Sequence, residues 1–184
     1  MKLYDVTTMM NVKAAKELAK EFALKEVDFY APKQVELYAK VAFYLFIYGE
    51  DLSLILNKFD RLEFKDYDTW SWIEPLILLK SRVSNEKIRD YKQDVLNVLN
   101  IGNDLQKRVK RRTFSRLLKG ETLYEEQIEE ARNADDLISE GSYLLGSIMK
   151  LVVISEMGGS DEFSVENSEQ LMRKYISQLL KVTT

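Results

Sequence analysis

Apolar residues along this chain recur at intervals of three and four and almost never alternate at two, which predicts helices and no sheet. The organising stretch is 35–62. Val41, Phe43, Tyr44, Leu45, Phe46, Ile47 and Tyr48 crowd one helix, Gly49, Glu50 and Asp51 break it, and Leu52, Ile55, Leu56, Phe59 and Leu62 stripe a second. Neither helix can satisfy its apolar face alone, so the two read as an antiparallel hairpin with further layers above and below. Pro32 suits the first turn of the first helix, and Gly49 suits the left-handed position after its end. Upstream, Ala15, Leu18, Ala19, Phe22 and Phe29 form one stripe with Leu24 and Val27 off it, which predicts a helix packed on more than one side.

Downstream, Ser71 and Glu74 have capping-box spacing ahead of Leu76, Ile77, Leu79 and Val83, and Asn85 is placed to cap a helix striped by Ile88, Tyr91, Val95 and Leu99. Asn100–Asn103 is a turn, with Asn103 or Asp104 opening a helix whose inward residues are Leu105, Val109, Thr113, Leu117 and Leu118 and which ends at Gly120. Thr122 and Glu125 repeat the capping-box spacing before the stripe Tyr124, Ile128, Ala131 and Ile138. Gly141-Ser142 either interrupts this helix or lies inside one running to Met157. Leu144, Leu145, Ile148, Leu151, Val152 and Ile154 make its most core-like part. Gly158-Gly159-Ser160-Asp161 predicts a mobile loop. Ser164 caps a last helix striped by Leu171, Met172, Tyr175, Ile176, Leu179 and Leu180, with residues 182–184 fraying. The expected architecture is all-α: a single domain over 1–184 of about eight helices in stacked antiparallel hairpins.

Tyr38, Ala42, the Gly49-Glu50-Asp51 turn, Ile55, Phe59 and Leu62 resemble a tetratricopeptide repeat, with a one-residue slip at the turn and large residues at two small positions. Trp72 lies one repeat length, 34 residues, after Tyr38. No third copy follows Asn100, so the resemblance covers at most 33–99. A related texture occurs in uncharacterised bacterial helical proteins, immunity factors among them. The resemblance implies a scaffold that works by presenting a protein-binding surface.

Composition narrows the chemistry. The chain has 184 residues, 46% hydrophobic and 31% charged, with only two Pro and seven Gly, as an ordinary folded domain with long helices would have. It has no Cys and no His. Disulfides, thiolate zinc sites, cysteine nucleophiles and histidine triads are therefore closed, and so are Glu-x-x-His di-metal sites. No phosphate-binding loop or Gly-x-Ser-x-Gly elbow surrounds its glycines, so Ser160 reads as loop. The first residues lack an apolar signal core. The longest nearly uncharged run, 143–155, is too short to span a bilayer, which points to a cytoplasmic protein with no membrane partner.

Charge is distributed unevenly around a net of −3. Residues 104–119 carry seven bases (Lys107, Arg108, Lys110, Arg111, Arg112, Arg116, Lys119) against Asp104, and 121–140 carry eight acids against Arg132. The blocks either lie antiparallel and screen each other or face ligands. No nucleic-acid motif accompanies the basic block, so nucleic acid is not the expected partner. Carboxylate pairs one turn apart, such as Glu125/Glu129, read as solvated faces because nothing in the sequence buries them. Glu125, Glu129 and Asp136 lie opposite the Tyr124–Ile128–Ala131 stripe and are the acidic candidates for binding a basic partner. Tyr67, Trp70 and Trp72 are the aromatic candidates, with Trp72 expected in the core and Trp70 exposed. The expected function is non-enzymatic and cofactor-free: stoichiometric binding of another protein, in its most specific form neutralisation of a basic toxin. The alternative is an adaptor holding a peptide in a concave groove lined by Tyr38, Tyr44, Trp70, Trp72 and Tyr91.

Overall fold

The computed structural model describes residues 12–26, 32–62, 73, 94, 97, 103–116, 123–156 and 158–184. Seven helices and no strand occur among them: α1 (Val12–Leu24), α2 (Pro32–Ile47), α3 (Ser53–Arg61), α4 (Asp104–Arg116), α5 (Glu125–Asn133), α6 (Leu137–Glu156) and α7 (Val165–Thr183). The fold is all-α. The chain divides into two compact units, residues 1–87 with 118–120 and residues 88–117 with 121–184. The second helical pair proposed over 71–99 lies almost wholly outside the described residues.

In the first unit the i, i+3, i+4, i+7 stripe Ala15, Leu18, Ala19 and Phe22 is buried, as its spacing requires. Phe22 stacks on Tyr38 of α2 at 4.3 Å between ring centres and lies 4.9 Å from Phe59 of α3, so one aromatic side chain joins three helices. Leu24, expected to be packed off that stripe, is 80% exposed at the end of α1, and Val27 and Phe29 lie outside the described residues. Helices α2 and α3 each pack more broadly on α1 than on each other, which makes α1 the shared surface of the presumed hairpin. Gly49 ends α2 at φ 69°, where the Gly49 and Glu50 amides donate to the Phe46 and Leu45 carbonyls. Asp51 then accepts from both the backbone and the hydroxyl of Ser53 to open α3, and those two bonds hold its carboxyl below the usual range.

In the second unit α6 is the axis, with residues 139–156 buried except for Tyr143, which is half-buried. At 20 residues it is long and apolar enough by composition to cross a membrane. The apolar run read as too short extends toward the N-terminus through Leu137 and Ile138, and most of the helix is enclosed by its own chain. Gly141 lies within the helix. The break that the sequence left open comes earlier: Asp135 takes φ 52°, and its amide and that of Asp136 donate to the Arg132 and Ala131 carbonyls. Asp136 then caps α6, accepting from the Ser139 amide at 3.1 Å. Helix α5 starts at Glu125 with Tyr124 as its N-cap residue; Thr122 of the expected capping box lies outside the described residues.

Asn103 does cap α4. Its side chain accepts from the Gln106 amide at 2.7 Å, while its own amide donates to the Gln106 side chain at 3.3 Å. The Asn103 side chain also donates to the Thr183 carbonyl at 3.0 Å. Thr183 is buried, so this bond ties the last turn of α7 to the start of α4, while Thr184 is exposed. Ser164 caps α7 as expected. The loop before it is hydrogen-bonded at several points: the Gly158 and Gly159 amides donate to the Ser155 and Ile154 carbonyls, and the Ser160 amide donates to the Phe163 carbonyl.

Phe22→Ala is expected to cost about 3–5 kcal/mol in urea unfolding, against about 0.5 kcal/mol or less for exposed Leu24→Ala. Both loop glycines have positive φ, but a Cβ on Gly159 would sit 2.9 Å from the Phe163 carbonyl, whereas one on Gly158 meets open space. Gly159→Ala should therefore destabilise by about 2–3 kcal/mol and Gly158→Ala by about 1 kcal/mol.

Candidate functional site

Two polar assemblies stand out, and both start at the N-terminus of α5. The first is internal. The Tyr124 ring lies over Gly146, where an added Cβ would come within 3.3 Å of it. Its phenol accepts from Lys150 Nζ at 2.5 Å, and the ammonium stands 4.0 Å from the ring centre. The Tyr124 amide donates to Ser147 Oγ, which itself donates to the Tyr143 carbonyl one turn back. Lys150 and Ser147 are fully buried and Tyr124 is 6% exposed. Lys, Tyr and Ser therefore converge inside the unit, and the bonds they make satisfy groups that would otherwise be costly to bury.

The second assembly faces solvent. A cavity of about 400 Å³ is lined by Leu123, Glu125, Glu126, Gln127, Glu162 and Phe163. Glu125 and Glu126 occupy the first turn of α5, where the helix dipole favours negative charge. Glu162 and Phe163 come from the loop that Gly158 and Gly159 turn toward α7. Behind Glu125 the buried Tyr175 hydroxyl donates to its carboxylate at 3.4 Å. Burial, then the adjacent Glu125 charge and hydrogen bond, push the Tyr175 phenol above its ordinary value. Three carboxylates and two apolar walls suit a cation carried on an aliphatic stem, as a lysine or arginine side chain is. Among the described residues, no three or more acidic side chains are grouped so as to hold a metal ion.

The acidic candidates read from the sequence have different roles here. Glu125 lines the cavity. Glu129 is exposed and pairs with Arg132 at 3.4 Å, and Arg132 also bonds the buried Glu140 at 3.0 Å. Asp136 is engaged in capping α6. Glu126, Glu162 and Phe163 were not among the binding candidates read from the sequence. Glu126 fell within the acidic run, but Glu162 is twenty-two residues beyond its end at Glu140 and reaches the site through the turn at Gly158-Gly159. Tyr67, Trp70, Trp72 and Tyr91 lie outside the described residues. Tyr38 and Tyr44 are buried, at 4% and 1% exposure, and are taken up by packing. Burial and Tyr48 hold the Tyr44 phenol far above its ordinary range.

Residues 6–181 match a family of unknown function, DUF6707, and the chain belongs to that family. Neither a curated protein nor a solved structure matches it.

The internal contact predicts non-additivity. Tyr124→Phe and Lys150→Met should each destabilise, and the double variant should recover about 1–3 kcal/mol relative to their sum in a denaturation cycle. Additive costs would show that the phenol and ammonium do not interact.

Proposed function

We propose that this chain is a non-enzymatic, cytoplasmic protein that acts by stoichiometric binding to a basic protein partner, with neutralisation of a toxin as the most specific form of that role. The observation that carries it is the amphipathic acidic cavity. Glu125, Glu126 and Glu162 offer charge to a cationic side chain, and Leu123 and Phe163 offer apolar surface to its stem. The exposed Glu129 and Glu130 extend the negative field along α5. Such a field speeds capture of a positively charged surface and makes the rate fall with salt. The groove-binding adaptor has less support, since Tyr38 and Tyr44 are buried.

The partner to test is an adjacent gene's product, screened for toxicity when expressed alone. Co-expression should restore growth, and the purified proteins should form a 1:1 complex. Glu126→Lys/Glu162→Lys should slow association about tenfold or more at low salt and flatten its salt dependence, with far-UV circular dichroism unchanged. An unchanged association rate removes the acidic cavity from the interface. Full survival of cells lacking this chain beside the toxin removes the neutralising role.

A further inference from the structure

The opposed charges of the second unit point away from each other, which gives each copy two complementary faces. Val109 of α4 sits against Gly141 of α6, and the Thr113 hydroxyl reaches the Ser142 carbonyl at 3.3 Å. Tyr124, at the head of α5, sits against Gly146, Ser147 and Lys150. At about 100° per residue those three positions lie roughly 140–240° around α6 from Gly141. The basic and acidic helices thus flank α6 on opposite sides. Each takes α6 as its principal neighbour, and the two do not pack broadly on each other. On α4 the buried residues Gln106, Val109 and Thr113 share one side, so Lys107, Arg108 and Arg111 are exposed on the other. On α5 Ile128 and Ala131 are buried, and Glu126, Glu129 and Glu130 are exposed, with Arg132 offsetting part of that charge.

We propose that the Lys107–Arg108–Arg111 face of α4 docks on the Glu126–Glu129–Glu130 face of α5 in a second copy of this chain. A three-on-three charge match along two helices favours this occupant, since the chain itself supplies both halves at equal concentration. Each exposed ion pair contributes only about 0–1 kcal/mol, so the contact is weak and depends on several pairs acting together. Because the two faces lie on opposite sides of the unit, the contact is head-to-tail. Such a heterologous contact does not close on a two-fold axis and adds copies progressively. The inference goes beyond the capture of a basic partner and does not rest on it.

The test uses the purified full chain alone, by light scattering over a concentration series. In about 10 mM salt, where charges act over roughly 30 Å, the average mass should exceed the 21.5 kDa of one chain and keep rising with concentration. In about 1 M salt, where they act over roughly 3 Å, it should return to 21.5 kDa. Lys107→Glu/Arg108→Glu/Arg111→Glu and Glu126→Lys/Glu129→Lys/Glu130→Lys should each abolish the rise. Mixing the two variants should restore it, because each then supplies the face that the other has lost. A single-chain mass at low salt overturns the proposal, as does an assembly indifferent to salt or a mixture that stays at single-chain mass. Retention of the chain on duplex DNA without self-association would give the basic face to nucleic acid and overturn it equally. If a reversed variant fails to fold, the salt series on the wild-type chain decides. No partner protein enters the experiment, so its failure and the failure of partner capture are separate outcomes.

Discussion

Burying a helix that is not purely apolar constrains everything around it. Helix α6 is enclosed along most of its length yet carries Glu140, Ser142, Ser147 and Lys150 among its buried residues. Each of these finds a partner on a neighbouring segment: Arg132 for Glu140, Thr113 for Ser142, the Tyr124 amide for Ser147 and the Tyr124 phenol for Lys150. A helix of leucine and valine alone could rotate within such a bundle and repack at modest cost. Rotating this one would strand a buried carboxylate or ammonium, a penalty of roughly 3–5 kcal/mol for each pair broken. The polar positions therefore fix the rotation of α6 and with it where α4 and α5 attach. Its small residues fix how closely they come. Val109 occupies the space that a Gly141 Cβ would need, approaching to 2.8 Å of it, and the Tyr124 ring does the same at Gly146.

The features legible in the sequence were those set by local chemistry. Period-3.6 stripes located the buried faces of α1, α3 and α7, Ser164 and Asn103 announced their caps, and Gly49 and Pro32 bounded α2. Each depends on residues within about one turn of one another. The break between α5 and α6 was illegible because it uses Asp135, a residue that tolerates the left-handed region without signalling it as glycine would. The exposure of Leu24 and the tethering of Thr183 were hidden for another reason. Both depend on what another helix does at that point: none covers Leu24, and Asn103 reaches across eighty residues to the end of α7.

The candidate site divides in the same way. Glu125 was visible as part of an acidic run, because linear density of charge is a sequence property. Its neighbours Glu162 and Phe163 were not, because nothing in their local sequence sets them apart. They arrive by way of a loop that the sequence marked as mobile and that the structure shows to be bonded at Gly158, Gly159, Ser160 and Phe163. The two adjacent glycines were read as freedom. Their φ values of 87° and 103° show them serving as shape, a tight left-handed course that other residues rarely adopt and that carries Phe163 back toward α5. Asp136 shows the reverse failure. It lay on the right stretch and had the right charge, but its carboxylate is engaged by the Ser139 amide.

The same enclosure bears on what the chain can do. The Lys150, Tyr124 and Ser147 cluster has the side chains that chemistry would use, but 0% and 6% exposure of Lys150 and Tyr124 leaves a substrate little surface to approach. The accessible groups are of another kind: carboxylates at the head of α5 and bases along the outer side of α4, each on a rigid helix and each set by its attachment to α6. Charges fixed in this way cost little reorganisation when a partner arrives, so their contribution goes into encounter rate and orientation. Polar groups are paired in the interior and ionic groups are arrayed outside. That division is the one the proposed recognition of a partner by surface charge requires.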